Sequence, residues 1–140
     1  MDVNFKSVTR LLSLFDNIQM NNFSYFLSIS TSHVFKNSHL KLKENSIKKP
    51  INYYGKSKLY LENYIQKNNT KFKFKIGVAR IFNYYNEGYK KGFFINDIIE
   101  KLKNNKKIIK FKDINAYRDF VSMEDINTGL LKMINLRLVN

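Results

Sequence analysis

The order of two hydrophobic periods most constrains what this chain can fold into. Residues 23–29, Phe-Ser-Tyr-Phe-Leu-Ser-Ile, form a short run rich in aromatic and β-branched residues. Phe72, Phe74 and Ile76 alternate with Lys71, Lys73 and Lys75, a period of two that continues to Ile81. Between them, residues 53–66 place Leu59, Leu61, Tyr64 and Ile65 at helical spacing. Apolar residues recurring every two positions line one face of a strand, and those recurring every three or four line one face of a helix. Strand, helix and strand in alternation predict an α/β fold with a parallel sheet and flanking helices.

The rest of the chain fits that frame. An amphipathic helix is expected over residues 3–18, with Val3, Val8, Leu11, Leu12, Leu14, Phe15 and Ile18 as its apolar positions. The turn-like Asn21-Asn22 separates it from the strand over residues 23–29, whose C-terminal end carries Ser30-Thr31-Ser32. A polar loop runs from Lys36 to Ile51, and Asn68-Asn69 closes the next helix. Gly88 and Gly92 mark a loop before a helix over residues 94–104, with Phe94, Ile95, Ile98, Ile99 and Leu102 on its apolar face. A short strand is expected over residues 107–111, and Ser122-Met-Glu-Asp125 resembles a capping box that opens a last helix.

Composition narrows the function classes. With 44% hydrophobic and 15% aromatic residues the chain has enough apolar mass for a core. It has no Cys, and only His33 and His39 among its imidazoles, so neither a disulfide framework nor a thiolate metal site is expected. No apolar run is long enough to cross a bilayer, and a cytoplasmic protein without a membrane partner is expected. The net charge of +14 raises the question of a polyanionic partner. Arg, which reads guanine edges and clamps phosphates, occurs only at positions 10, 80, 118 and 137. A solvated Lys-rich surface accounts for the same charge, and a nucleic-acid module rests on charge alone.

The chemistry concentrates in Tyr54-Gly-Lys-Ser-Lys58 at the start of the central helix. Four residues apart on a helix, Tyr54 and Lys58 project from one face. A nearby ammonium stabilises phenolate, and a phenol so tuned trades protons with a substrate hydroxyl or carbonyl. This spacing is common by chance. It gains weight from the hydroxyl cluster at the end of the preceding strand, because ligands of open α/β sheets lie beyond the carboxyl ends of the strands.

Four landmarks then occur in order: Ser28-Ile-Ser-Thr-Ser-His-Val-Phe35, Asn52-Tyr-Tyr-Gly-Lys-Ser-Lys-Leu59, Val78-Ala-Arg-Ile-Phe-Asn83, and Ala116-Tyr-Arg-Asp-Phe-Val121 followed by Glu124-Asp125. The set resembles the NAD-dependent epimerase/dehydratase family, the extended short-chain dehydrogenase/reductases that act on nucleotide sugars. Residues 3–12 also resemble the helix that precedes the family's catalytic strand. The resemblance implies a partial Rossmann-like fold, NAD or NADP as cofactor and a nucleotide-sugar substrate. It implies Tyr54 as catalytic acid/base, Lys58 as the residue that holds the nicotinamide ribose and tunes the phenol, and Thr31 as the hydroxyl member of the triad. Asn83 matches a substrate-contacting Asn. Arg118 matches an Arg that meets the diphosphate, the alternative being a structural ion pair with Asp119 or Asp125.

Two departures from the family pattern stand out. Where dehydratases of the family carry an acidic residue after the Thr, this chain has Ser32 and His33, which argues for a 4-keto-sugar reductase or an epimerase over 4,6-dehydration. His33 is either an additional acid/base or a surface residue. The stretches from Gly92 to Asp97 and from Asp113 to Asp119 are most like the GDP-sugar dehydratase and reductase branch. The second departure is that the five Gly, at positions 55, 77, 88, 92 and 129, form no Gly-rich pyrophosphate turn. The expectation is therefore one partial domain without the Gly-rich first half: residues 1–85 as the second half of the Rossmann core, residues 86–140 as part of the substrate-binding region. A complementing chain or a homodimer is the implied partner, and a catalytically inactive remnant or partner subunit is the alternative function.

Overall fold

A computed structural model describes residues 2–18, 23–86, 94–105, 108–110 and 118–139. The chain divides into two compact units, Met1–Ile81 with Gly129–Asn140, and Phe82–Thr128.

In the first unit a π-type turn, Asp2–Lys6, leads into helix α1, Ser7–Asn17. Strand β1, Tyr25–Thr31, is followed by a 3-10 turn over Ser32–Val34. Helix α2, Tyr53–Asn68, comes next, and its N-terminus is capped by Asn52, whose Oδ1 accepts from the Gly55 N–H at 2.7 Å. Strand β2, Lys75–Ile81, pairs with β1 in parallel, with Tyr25 opposite Lys75 and Thr31 opposite Ile81. This is the strand, helix, strand order that the two periods predict.

The core of this unit is Leu12 of α1, Leu61 and Ile65 of α2, Phe74, and Ile76 of β2. Burying each such side chain stabilises the fold by roughly 1.5–3 kcal/mol. Phe5, Val8 and Phe15, seven, four and three residues from Leu12, pack against the core. On β1 alternate residues serve different purposes. Phe26 packs on the core, whereas Tyr25 donates its hydroxyl to the Leu138 carbonyl at 2.7 Å. The bridge passes over Gly77, where any Cβ would run into both the Tyr25 hydroxyl and the Leu138 carbonyl oxygen.

The second unit holds strand β3, Asn83–Tyr85, helix α3, Phe94–Lys103, and strand β4, Phe120–Ser122. Strands β3 and β4 pair in parallel, and the Phe94 and Phe120 rings stack with centroids 6.0 Å apart. Helix α4, Met123–Leu136, opens on the expected cap: Ser122 Oγ accepts from the Asp125 N–H at 3.0 Å and donates to the Asp125 carboxylate at 2.7 Å.

Three expectations need correction. Strand β1 runs to Thr31 and begins at Tyr25, so the hydroxyl cluster lies partly inside the strand. Strand β2 begins at Lys75, although the alternation starts at 71. The reason is that the Lys73 N–H is taken by the Asp16 carboxylate at 2.8 Å, while Phe72 and Phe74 pack on each other, centroids 5.5 Å apart. Among the described residues the strands form two separate two-stranded sheets, and residues 108–110 are in neither. Asn21-Asn22, Lys107, Phe111, Gly88 and Gly92 lie outside the described residues.

Candidate active site

The first unit brings the end of β1 against the start of α2, and a missing side chain makes this approach possible. A Cβ on Gly55 would lie closer than 3.0 Å to the His33 carbonyl oxygen, and 3.0 Å from both the His33 carbonyl carbon and Pro50 Cβ. Gly55 therefore lets the helix start directly on the turn that leaves β1. Thr31, itself buried, shapes that turn, since its Oγ1 accepts from the His33 N–H at 3.3 Å.

On this platform Tyr54 is 46% exposed, and among the described residues its hydroxyl makes no hydrogen bond. The phenol is open to a ligand. The His33 ring stands edge-on to it with centroids 6.0 Å apart, and His33 Nδ1 lies 3.4 Å from the Asn52 side-chain nitrogen. His33 is exposed beside the candidate phenol. Lys58 Nζ lies 5.9 Å from the Tyr54 ring centroid and donates to the Ile29 carbonyl at 2.9 Å. Burial pushes its ammonium below the ordinary lysine pKa, because water is withdrawn from a charge that the Ile29 carbonyl only partly solvates.

Asn83 and Arg118 belong to the second unit. The Asn83 side chain donates to the Asp119 carbonyl at a long 3.5 Å, consistent with its place opposite Phe120 in the β3–β4 pair. Arg118 is exposed and, among the described residues, forms no salt bridge with Asp119 or Asp125. Asp125 is engaged by Ser122 at the cap of α4.

One cluster was missed at the level of sequence. Glu62, one helical turn beyond Lys58, is buried and grips Arg80 of β2 through both oxygens, at 2.9–3.2 Å, while Ser30 of β1 donates to its Oε1 at 2.5 Å. The available signal was Arg80 itself, a charge inside the otherwise uncharged run of residues 76–81, because a buried charge requires a partner.

The first unit is thus a parallel β-α-β unit that sets a Tyr–Lys pair at the carboxyl end of its first strand. The family model described as the NAD dependent epimerase/dehydratase family matches residues 1–138, and the chain belongs to that family. No curated protein sequence matches the chain. Among solved structures, a protein of Burkholderia cenocepacia J2315 provisionally called an epimerase superposes with a TM-score of 0.86 at 25% identity, over 96% of this chain and 44% of its own. RMD from Pseudomonas aeruginosa, solved with NADPH, gives a TM-score of 0.79 at 26% identity, over 96% of this chain and 48% of its own. UDP-glucuronic acid 4-epimerase from Bacillus cereus, solved with UDP-glucuronic acid and NAD, shares the fold with a TM-score of 0.78 at 24% identity, over 94% of this chain and 41% of its own. The chain spans less than half the length of these solved proteins. Among the described residues no helix is long and apolar enough to cross a membrane.

Proposed function

We propose that this chain carries the acid–base half of an NAD(P)-dependent nucleotide-sugar oxidoreductase or epimerase, of the 4-keto-sugar reductase or epimerase type. The observation that carries the reading is the open Tyr54 hydroxyl, with the partly dehydrated Lys58 ammonium beside its ring and both at the end of β1. Tyr54 holds and moves the proton at the sugar oxygen. Lys58 binds the nicotinamide ribose, for which its donors suit a vicinal diol. Thr31 presents its hydroxyl toward the same oxygen. When bound, the dinucleotide supplies hydride exchange at its nicotinamide ring. These residues fit the nicotinamide-ribose end of NAD or NADP, whereas no Gly spacing in the chain fits the pyrophosphate. Asn83 contacts the substrate, and Arg118, exposed and free of salt bridges among the described residues, meets the diphosphate. The setting is cytoplasmic.

The second reading is an inactive remnant or a partner subunit that supplies this half of the fold to another chain. The two separate in one assay. The chain is mixed with a complementing segment that bears a Gly-rich turn, and NAD(P)H-linked turnover of nucleotide-linked hexoses is followed. Turnover that needs both components and Tyr54 supports the enzyme, and its absence supports the remnant.

A further inference from the structure

The buried carboxylate of Glu62 lies outside the Tyr54 and Lys58 chemistry, yet polar groups from both strands and the preceding loop converge on it. Its Oε1 accepts from Ser30 Oγ of β1 at 2.5 Å and from Arg80 Nε of β2 at 3.0 Å. Its Oε2 accepts from Arg80 Nε at 3.2 Å and Nη2 at 2.9 Å, and Lys48 Nζ stands 3.7 Å away. Arg80 is itself held from three sides: by the carboxylate, by the Glu44 carbonyl at 3.3 Å and by the Phe35 ring, 5.2 Å from its guanidinium carbon. One side chain of α2 thus reaches both strands of the sheet, and through Arg80 it reaches the loop before α2.

We propose that Glu62 is a positioning residue, whose grip on Ser30 and Arg80 fixes the rotation and height of α2 over β1 and thereby the placement of Tyr54 and Lys58. The proposal rests on the reading of Tyr54 and Lys58 as the acid–base and cofactor-binding pair. Positions 54, 58 and 62 recur every four residues, so they share one face of α2 and rise about 6 Å apart. A rotation of about 10° would carry a side-chain tip roughly 6 Å from the helix axis through about 1 Å. A misplacement of that size is enough to cost about a hundredfold in rate. To the packing of Leu61 and Ile65 the bidentate ion pair adds geometric specificity, because its two parallel bonds hold only in one relative placement. Ser30 adds direction, since its neighbours on β1 are Ile29, whose carbonyl receives the Lys58 ammonium, and Thr31 of the candidate triad. An ion pair in this setting contributes to the specificity of one arrangement more than to stability, because buried pairs are often replaceable by apolar residues at little cost.

The test reads the environment of Lys58 in the full 140-residue chain, labelled with carbon-13 at lysine Cε, with no cofactor and no turnover. The double substitution Glu62→Leu with Arg80→Met removes one charge of each sign, so the local field changes little while the grip is lost. Ser30→Ala removes the β1 contact without touching any charge and keeps the question decidable if the double variant does not fold. Ile76→Val serves as the control, a mild truncation in the same core. The expected result is that Lys58 titrates closer to an ordinary lysine in the double variant and in Ser30→Ala, its pKa rising as water returns to the ammonium. Ile76→Val should leave it unchanged even where the melting temperature falls. Wild-type titration of Lys58 in the folded double variant, or in Ser30→Ala if that alone folds, overturns the proposal, as does an equal shift in Ile76→Val. Loss of the catalytic reading registers separately, as turnover that survives Tyr54→Phe.

Discussion

Replacing Gly55 with Ala should destabilise this protein, and replacing Gly129 with Ala should stabilise it, although both changes add one methyl to a helix. In an exposed helix interior Ala is favoured over Gly by about 1 kcal/mol. At Gly129, in α4, an added Cβ meets nothing within 4 Å, so that gain arrives undiminished. At Gly55 the methyl would fall closer than 3.0 Å to the His33 carbonyl oxygen and 3.0 Å from its carbonyl carbon. Both atoms are backbone, anchored by the turn that Thr31 caps, so the start of α2 has to lift. Overpacking of this kind costs about 1–3 kcal/mol. Set against the propensity gain, the net loss at Gly55 is at most about 2 kcal/mol, which puts the two variants roughly 1–3 kcal/mol apart. Urea denaturation with matched slopes measures the difference, and thermal melts should separate the variants by about 3–10 °C. If Gly55→Ala proves as stabilising as Gly129→Ala, the close approach of α2 to β1 does not exist in solution, and the placement of Tyr54 argued from it fails.

Other expectations follow from single contacts. Tyr25→Phe removes the hydroxyl bridge to Leu138 and should lower stability by about 1 kcal/mol in a denaturation curve at neutral pH. Burial pushes the Tyr25 phenol pKa up, so its contribution is complete below the ordinary phenol value near 10.0 and is lost as pH rises through the higher folded value. The Phe variant should therefore lose less stability than wild type in alkaline melts. In a complemented enzyme, Arg118→Ala should mainly raise KM for the nucleotide sugar and leave kcat near wild type, because diphosphate binding is shared by ground and transition states. Lys58→Met should weaken cofactor binding and rate together, and a change in only one of them would argue against its double role.

The sequence made the order of elements and the Tyr54–Lys58 pair legible because both are local. Apolar residues at helical spacing and a phenol four residues before an ammonium are each contained within one helix. What could not be read depends on distant partners. Phe72 and Phe74 alternate like strand residues, yet Asp16, 57 residues earlier, takes the amide of Lys73 and removes it from the ladder. The division into two sheets was also hidden, since strands as short as β3 and β4 offer three residues each, too few to show a period. The same holds for the buried ion pair. Glu62 looks like one more polar position on a helix until Arg80, 18 residues later, is brought beside it by the β1–β2 pairing.

The central claim, that Tyr54 governs the proton in a hydride exchange between a dinucleotide and a nucleotide sugar, is tested most directly by isotope transfer. The chain is combined with a segment carrying a Gly-rich turn, supplied with NAD(P)H deuterated at nicotinamide C4 and a nucleotide-linked 4-keto-hexose, and the sugar is examined by mass spectrometry. The account predicts deuterium on the sugar carbon that bore the carbonyl, with the rate of its appearance reduced about 10² to 10⁴-fold by Tyr54→Phe. Deuterium transfer at an undiminished rate in Tyr54→Phe would contradict it.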